Sequence, residues 1–241
     1  MNLSIIINLH NEGRLANATI LSVIHADQYL KSNDEFTTEI LLILDNPNSE
    51  TVALATHFSK KHLNISSHIC DKKDLGASRN FGVSIAKGEF ISFIDGDDLF
   101  SEYWLLFAFQ NANQHPSKDK VVWHPEVNVI FESDYHLYYH IDMEDPSFDI
   151  DYLNFYNYWT ALSFAHKTVY EKFPYKRNKI KEGYGYEDWS FNITTIKAGL
   201  IHKIVPNTCH FVRRKEAQSL LQATNANECL VSSINGFTNF V

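Results

Sequence analysis

The sequence predicts an α/β fold in which a mostly parallel β-sheet is flanked by helices. Short, nearly continuous apolar runs alternate with segments of helical character through the first hundred residues, and such runs are typical of strands covered on both faces. The alternation favours right-handed β-α-β connections with helices on both faces of the sheet. Polar residues follow three of these runs, and ligands of parallel sheets bind beyond the carboxyl ends of the strands. The fold class and the place of a site are therefore predicted together.

The predicted elements follow one another without an internal repeat or a clear linker. In the first half we expect strands over residues 3–9, 39–44, 65–69 and 90–94, and helices over 14–30, 49–62 and 77–86. Ser49 is expected to cap the second helix, and Gly88 to stop the third. In the second half we expect a helix over 103–111, strands within 121–141, a helix within 184–198 and a strand over 204–212.

Composition and charge limit the classes of ligand. The chain has 241 residues, enough for one domain with a sizeable core, and a formal net charge of −8. We expect no nucleic-acid partner, because nucleic-acid recognition needs a basic face. A nucleotide diphosphate is compatible with an acidic protein if a divalent cation lies between the two.

The cysteines and the hydropathy pattern predict the compartment. Cys70, Cys209 and Cys229 have neither metal-ligand spacing nor the number expected of a disulfide framework, which fits a reducing compartment. The amino terminus has no basic leader, and no stretch is long enough for a membrane span. We therefore expect a cytoplasmic protein, with peripheral association at the inner face of a membrane as a variant of that expectation.

Three carboxylates, Asp95, Asp97 and Asp98, directly follow the strand predicted over 90–94. Clustered carboxylates repel one another unless a cation lies among them, and Mg²⁺ and Mn²⁺ prefer oxygen ligands. A metal bound here can hold a diphosphate and neutralise its charge when it leaves. An acidic turn before a helix capped by Ser101 explains the same residues about equally well. A haloacid-dehalogenase-like phosphatase is disfavoured, because its Asp-x-Asp motif usually follows the first strand.

Asp45 and Arg79 are candidates for nucleotide contacts. Asp45 ends the second predicted strand, where its carboxylate can accept hydrogen bonds from a base or a ribose. A turn-forming role before Asn-Pro explains Asp45 as well. Arg79 lies in the first turn of the third predicted helix and can reach a base or a phosphate. The alternative for Arg79 is an ordinary surface position.

A second acidic pair, Glu187 and Asp188, follows a glycine-containing stretch and opens an amphipathic helix. The helix dipole alone favours acids at this position. One of the two can instead act as the general base for an acceptor hydroxyl. An inverting sugar transfer needs such a base on the face opposite the departing diphosphate, and a carboxylate from a distant part of the chain suits that geometry.

A basic segment near the end of the last predicted strand contains His210, Arg213 and Arg214. Its positive charge can clamp a diphosphate, and His210 can be a further metal ligand. A basic strand end exposed to solvent is the alternative.

The order of these motifs resembles glycosyltransferase family 2, whose members have the GT-A nucleotide-sugar fold. The resemblance runs from about residue 3 to about residue 220. It rests on order and spacing, because each motif alone is weak or moderate. The matching positions are Asn11-Glu12, Asp45, residues 76–82 and 86–89, the acidic motif at 95–98, Glu187-Asp188-Trp189 and the segment 210–220.

The resemblance implies an inverting, metal-dependent enzyme of hexosyltransferase type in cell-surface polysaccharide biosynthesis. Its donor is a nucleotide-sugar, preferably of uridine diphosphate, and its acceptor is a saccharide or a lipid-linked saccharide. It implies a single GT-A domain over residues 1–221, with a nucleotide-binding half at 1–98 and an acceptor-binding half at 99–221, and a tail or the start of a further region at 222–241.

The resemblance also implies roles for individual residues. Donor contacts fall to Asn11, Glu12, Asp45, Arg79, Asp95, Arg213 and Arg214. The resemblance implies that Asp95 contacts the ribose and that Asp97 or Asp98 holds the metal. Together with the reasoning from the residues, this makes Asp95, Asp97, Asp98 and His210 the candidate ligands of Mn²⁺ or Mg²⁺. Asp188 is the implied general base, and Glu187 is the next candidate.

Two departures and two alternatives qualify this interpretation. Leu9-His10 stands where the family usually has a Thr-Tyr-like pair after a proline, and Asp45-Asn46-Pro47 replaces a double-Asp turn. A nucleotide-sugar hydrolase or phosphatase can use the same acids, and a non-catalytic nucleotide-sugar-binding module of a larger polymerase can bind the same donor. A dinucleotide oxidoreductase is disfavoured, because no Gly-x-Gly-x-x-Gly follows the first strand.

Overall fold

The computed structural model describes residues 1–33, 35–215 and 220–232 as a mixed α/β fold. The strands are β1 (Leu3–Leu9), β2 (Thr38–Asp45), β3 (Ile65–Cys70), β4 (Phe90–Asp95), β5 (Leu99–Phe100), β6 (Val121–Glu132), β7 (His136–Tyr139), β8 (Phe164–His166), β9 (Tyr184–Gly185), β10 (Ile201–Arg214) and β11 (Leu230–Val231). The helices are α1 (Leu15–Asn33), α2 (Ser49–Lys61), α3 (Leu75–Ile85), α4 (Trp104–Gln114), α5 (Lys167–Lys172), α6 (Glu187–Lys197) and α7 (Leu220–Ala226).

Nine of the described strands form one sheet in the order β3-β2-β1-β4-β8-β6-β10-β5, with β7 paired to β6. β1 to β4 run parallel to one another, and β6 runs parallel to β10. β8 lies antiparallel to both β4 and β6, so the long strands of the two halves point the same way. The predicted, mostly parallel sheet is confirmed, and its carboxyl ends share one edge.

Strand β1 lies at the centre of the hydrophobic core, and all seven of its residues are buried. Because side chains alternate across a strand, its neighbours serve different layers. Ile5 and Ile7 pack in the layer that contains α1 and α4, whereas Ile6 packs in the layer that contains α3 and α5. Burial on both faces explains why the sequence of β1 is a continuous apolar run rather than an alternating one.

Two expected helix boundaries differ from the structure. α2 begins at Ser49 as predicted, but Asn48 caps it, because Asn48 Oδ1 accepts a hydrogen bond from Thr51 N at 2.9 Å. α3 ends at Ile85 with no glycine cap. A Cβ atom on Gly88 would lie 2.4 Å from the backbone nitrogen of Ser4, so this glycine allows the chain to pass close to β1.

The second half contains the predicted helix α4, the strands β6 and β7, the helix α6 and the long strand β10. β10 has a register irregularity between Val205 and Cys209 against β6. Part of the predicted tail is ordered structure, since β11 pairs in parallel with β9. Residues 233–241 lie outside the described residues. Among the described residues, no helix is long and apolar enough to span a membrane.

Candidate functional site

A cavity of about 580 Å³ opens at the carboxyl edge of the sheet. This volume lies within the range of small-molecule sites, roughly 300–1,000 Å³. Its lining comes from the ends of β1, β2, β4 and β10, from the start of α3 and from α7. The polar residues that line it are Asn8, His10, Glu12, Asp45, Asn46, Lys73, Asp74, Ser78, Asp95, Asp97, Asp98, Arg213, Arg214 and Lys215.

The acidic turn after β4 holds each of its three carboxylates against a different partner. Asp95 accepts a hydrogen bond from an arginine of α3, and Asp97 forms an ion pair of 2.5 Å with Lys215. Asp98 is buried, with Oδ2 3.1 Å from His210 Nε2 and Oδ1 accepting from Arg213 N at 2.8 Å. The structure therefore brings one candidate metal ligand of the turn, Asp98, into contact with the distant His210.

The donor set of the turn suits a divalent cation. Burial, and after it the charge of Asp98, raise the pKa of Asp97 to about 6. No group of three or more His, Cys, Asp or Glu side chains surrounds a common point in the described residues. Mg²⁺ sites usually take one or two carboxylates and complete their shell with phosphate oxygens and water. Asp98 and His210 meet that smaller requirement.

Arg79 is buried at the centre of the site, not on the surface. Its Nη2 donates to Asp95 Oδ1 and its Nη1 donates to Glu187 Oε1, both at 2.7 Å. Its guanidinium also lies 5.1 Å from the ring centroid of Tyr175. Burial alone lowers the pKa of Arg79, but Asp95 and Glu187 outweigh burial and raise it. Both Nη atoms are engaged, so Arg79 bridges the two acidic motifs, and its expected donor contact stays a prediction.

A smaller cavity of about 200 Å³ adjoins the first and contains Asp188. Glu187 also lines this cavity, but both of its carboxylate oxygens are engaged, since Arg79 donates to Oε1 and Asn178 Nδ2 donates to Oε2 at 2.8 Å. Asp188 has only a long contact of 3.5 Å with Asn157 Nδ2 among its described side-chain contacts. Burial and the neighbouring Glu187 charge raise the pKa of Asp188 to about 7. A carboxyl group with a pKa near 7 can accept a proton from a hydroxyl at neutral pH.

The end of β1 contributes one of the two expected residues, together with His10. Asn11 is exposed, outside the cavity lining, and its Nδ2 lies 2.8 Å from His10 Nε2. His10 lines the cavity and its Nδ1 lies 2.6 Å from the carbonyl oxygen of Asp45. Glu12 also lines the cavity, with Oε2 accepting from His10 N. The structure therefore places Glu12 in the site and leaves Asn11 at its outer side.

Asp45 organises the loop between β3 and α3. Its Oδ1 accepts from the backbone nitrogens of Lys72 and Lys73 at 2.7 and 3.0 Å, and its Oδ2 accepts from Asp74 N at 3.1 Å. Asp45 is buried yet lines the larger cavity. It therefore shapes the wall at which a base or ribose can lie.

The two arginines of the basic segment have different surroundings. Arg213 lines the larger cavity but its guanidinium is engaged, because its Nη1 donates to Glu132 Oε2 at 2.7 Å and its Nε donates to Asp97 O at 2.9 Å. Arg214 lines both cavities, and within the described residues no carboxylate lies within ion-pair distance of its guanidinium. Lys215, which the sequence interpretation did not assign, adds a second cation at Asp97.

Sequence reasoning also missed Asn8, Thr160 and Tyr186. Asn8 Nδ2 is buried and has no hydrogen-bond partner among the described residues. Thr160 and Tyr186 line the smaller cavity, and Tyr186 has a left-handed backbone with φ 58° directly before Glu187. The only available sequence signal was Asn8 itself, a polar residue inside an apolar strand.

The fold and this acidic double cavity define an α/β protein of the nucleotide-sugar transferase class. The family model described as glycosyl transferase family 2 matches residues 4–179, well over half of the chain. The chain therefore belongs to glycosyl transferase family 2.

A curated relative and two solved structures agree with this assignment. The chain is 29% identical over 118 residues, 47% of its length, to a poly(ribitol-phosphate) beta-glucosyltransferase of Bacillus spizizenii, and covers only 18% of that protein. The S. aureus TarS 1-349 structure with UDP-GlcNAc superposes with a TM-score of 0.69 at 14% identity, covering 90% of this chain and 60% of that one. The TarS 1-349 complex with UDP gives a TM-score of 0.67 at 14% identity, with 89% and 61% covered. The structural matches show the GT-A fold.

Proposed function

We propose that this chain transfers a hexosyl group, with inversion, from a nucleotide diphosphate sugar to a saccharide or lipid-linked saccharide acceptor in cell-surface polysaccharide biosynthesis. The observation that carries the proposal is the shared wall of the two cavities. Asp95 and Asp98 line both, whereas Asp188 lines only the smaller one. A donor diphosphate in the larger cavity and an acceptor hydroxyl in the smaller one can therefore meet at the acidic turn.

The comparisons support a uridine diphosphate sugar as donor. The solved S. aureus TarS structures contain UDP-GlcNAc and UDP. The Bacillus spizizenii relative is named for glucosyl transfer to poly(ribitol-phosphate), which supports a polymer of the cell surface as acceptor. A lipid-linked acceptor would bring the enzyme to the inner face of a membrane.

The proposed cofactor is Mn²⁺ or Mg²⁺, held by Asp98 and His210 with Asp95 and Asp97 beside them. When bound, the cation neutralises the charge that develops on the leaving diphosphate. Arg214 and Lys215 add positive charge at the same wall. Glu12 and Asp45 are the proposed contacts for the nucleoside, because they line the larger cavity beyond the turn.

Asp188 is the proposed general base. Its carboxylate accepts the proton of the acceptor hydroxyl as that oxygen forms a bond to the anomeric carbon of the donor sugar. The bond from the anomeric carbon to the diphosphate oxygen breaks, and its electron pair leaves with the nucleoside diphosphate. Arg79 holds Glu187 and Asp95 in place through its two ion pairs. It thereby fixes the first turn of α6, which contains Asp188.

The experiment that tests the proposal is a transfer assay on Asp188→Asn with Mn²⁺, UDP-sugars and saccharide acceptors. Removal of a general base typically costs about 10²–10⁴-fold in rate. We expect that loss in transfer, with UDP affinity in the presence of Mn²⁺ unchanged. Glu182→Gln is the control, since Glu182 is an exposed acid near the same helix.

Three results would contradict parts of the proposal. Transfer by Asp188→Asn at the wild-type rate would make Glu187 the next base candidate. Donor turnover by the wild type at the same rate with and without acceptor would indicate a nucleotide-sugar hydrolase. UDP affinity that is equal with Mn²⁺ and with a chelator would remove the metal from the mechanism.

A further inference from the structure

A chain of hydrogen bonds runs from the acidic turn into the second half of the sheet. Three of its members, His210, Asn128 and His140, are buried, with exposed fractions of 1%, 0% and 5%. The proposed function uses only Asp98 and His210, at the outer end of this chain of hydrogen bonds. In order, the contacts are Asp98 Oδ2 to His210 Nε2 at 3.1 Å, His210 Nδ1 to Thr160 Oγ1 at 3.0 Å, Thr160 Oγ1 to Asn128 Oδ1 at 3.1 Å, Asn128 Nδ2 to His140 Nε2 at 2.6 Å and His140 Nδ1 to Pro125 O at 2.7 Å.

The inner end of the chain fixes the protonation of His140. The carbonyl oxygen of Pro125 can only accept a hydrogen bond, so His140 Nδ1 must carry a proton. The backbone N–H of Thr160 donates to His140 Nε2 at 3.1 Å, so Nε2 must be an acceptor. Burial lowers the pKa of His140 to about 3, which keeps the ring neutral. His140 is therefore the Nδ1–H tautomer.

This tautomer determines the direction of the next two hydrogen bonds. Because His140 Nε2 accepts, the group of Asn128 that faces it is the NH₂ group, and the amide oxygen faces Thr160. An amide oxygen only accepts, so Thr160 must use its single hydroxyl proton to donate to Asn128. The Thr160 oxygen is then left to accept from His210 Nδ1.

His210 is consequently held with its proton on Nδ1. In the neutral ring, Nε2 then presents a lone pair toward Asp98 Oδ2, and these two acceptors lie 3.1 Å apart with no proton between them. Two facing acceptors repel each other unless a proton or a metal cation lies between them. Metal-ligating histidines usually have such a hydrogen-bond partner on the second ring nitrogen, because that bond fixes the tautomer.

We propose that Thr160, Asn128 and His140 are positioning residues that set the Nδ1–H tautomer of His210, so that His210 Nε2 and Asp98 Oδ2 face a single divalent cation. The orientation is transmitted from a backbone carbonyl of β6 through His140, directly after β7, Asn128 within β6 and the loop residue Thr160. This inference rests on the metal site of the proposed function.

The first test measures the tautomer directly. Histidine ¹H–¹⁵N correlation spectra of the metal-free protein report which ring nitrogen of His210 carries the proton. We expect Nδ1–H in the wild type and in Thr160→Ser, which keeps the hydroxyl. Thr160→Val removes the acceptor for Nδ1–H, and the Nε2–H tautomer, which can donate to Asp98, should then predominate.

The second test measures Mn²⁺ affinity by calorimetry in the presence of UDP. Loss of an outer-shell partner typically weakens metal binding about 10–100-fold. We expect that loss in Thr160→Val and near wild-type affinity in Thr160→Ser. The matched control is Thr195→Val, because Thr195 Oγ1 lies 2.8 Å from Nε2 of the buried His202, in a contact that does not reach the acidic turn. Thr195→Val should leave Mn²⁺ affinity and the His210 spectrum unchanged.

The outcomes separate this inference from the proposed function. A wild-type His210 with its proton on Nε2, or Mn²⁺ affinity of Thr160→Val equal to that of the wild type, would overturn the positioning role. A wild type that binds no Mn²⁺ with UDP would overturn the metal site itself, and the spectra would still decide the tautomer.

Discussion

Asn8 stands near the end of β1 with its amide nitrogen buried and unpaired within the described part of the chain. A buried donor without an acceptor costs about 1–3 kcal/mol. Its oxygen has only a long contact of 3.4 Å with Ser78 Oγ. Because Asn8 lines the larger cavity, a bound nucleotide can supply the missing acceptor.

We expect Asn8→Ala to weaken UDP affinity without destabilising the free protein. A typical hydrogen bond contributes about 0.5–1.5 kcal/mol, so affinity should fall by about twofold to tenfold. The melting temperature should stay the same or rise, since an unpaired buried group is removed. Calorimetry and thermal unfolding measure the two effects. Ser59→Ala is the control, because Ser59 Oγ is also buried and unpaired among the described residues but lies outside the cavity. Equal UDP affinity of Asn8→Ala and Ser59→Ala would contradict the binding role of Asn8.

The pKa of Asp188 predicts the pH dependence of transfer. Burial and the Glu187 charge raise this pKa from its ordinary value to about 7, so the carboxyl group is increasingly protonated as the pH falls through 7. A protonated base cannot accept the acceptor proton, and kcat/KM, which reports the pKa values of the free enzyme, should therefore decrease on the acid side with a midpoint near that pH. The measurement is kcat/KM for the acceptor over the pH range in which the fold is stable. A rate that stays constant from neutral pH down to the ordinary titration range of aspartate would argue against Asp188.

At the level of elements, β10 carries two adjacent arginines whose side chains leave the strand on opposite faces. Arg213 stacks its guanidinium 4.7 Å from the ring centroid of Phe131 and pairs with Glu132 on the neighbouring β6. Arg214 faces the two cavities. Gly96 allows the acidic turn to lie close to β1, because a Cβ atom at this position would lie only 2.7 Å from the carbonyl oxygen of Asn8.

The different surroundings of Arg213 and Arg214 predict different effects when each is substituted. Arg214→Gln should weaken UDP binding by about tenfold or more, as expected for the loss of a charge-assisted hydrogen bond of about 1.5–3 kcal/mol, and should leave the melting temperature unchanged. Arg213→Gln should lower the melting temperature, because it loses the Glu132 and Asp97 contacts. Calorimetry with UDP and thermal unfolding distinguish the two. The assignment of Arg214 to the diphosphate is wrong if Arg214→Gln binds UDP as tightly as the wild type does.

At the level of the whole molecule, Arg79 joins the two halves of the fold. It extends from α3, in the first half, to Asp95 at the end of β4 and to Glu187 at the start of α6 in the second half. Arg79 and Glu187 are almost completely buried, so neither can be hydrated if the other is removed. The bridge therefore couples the stability of the fold to the relative position of the acidic turn and the base.

We expect Arg79→Met to destabilise the protein by about 3–5 kcal/mol, the usual cost of leaving a buried charge unpaired. Adding Glu187→Met should cost less than the sum of the two single changes, because the double variant removes both charges. Urea unfolding of the four proteins gives this coupling energy. Lys179→Met is the comparison, since its ion pair with Glu182 is exposed and should contribute little. Additive single effects would show that the bridge does not act as a unit.

The sequence by itself determined the elements and the class of the fold. Apolar runs such as β1, and the helical segments between them, follow from local hydrophobic periodicity, which does not depend on distant residues. The acidic turn and the pair Glu187-Asp188 could be located for the same reason, since each is contiguous in the chain. The antiparallel position of β8 between β4 and β6 could not, because strand order depends on pairing between distant segments.

Only the tertiary structure decided which residue of each motif is engaged by a charge partner. Glu187 and Asp188 are chemically alike and adjacent, and both line the smaller cavity, but Arg79, 108 residues earlier, forms its ion pair with Glu187. Asp98 and His210 are 112 residues apart and meet because β4 and β10 end at the same edge of the sheet. Burial and charge partners of this kind arise from packing between distant segments, so they set the pKa of Asp188 and the hydrogen bonds of His210 in ways that no local pattern records.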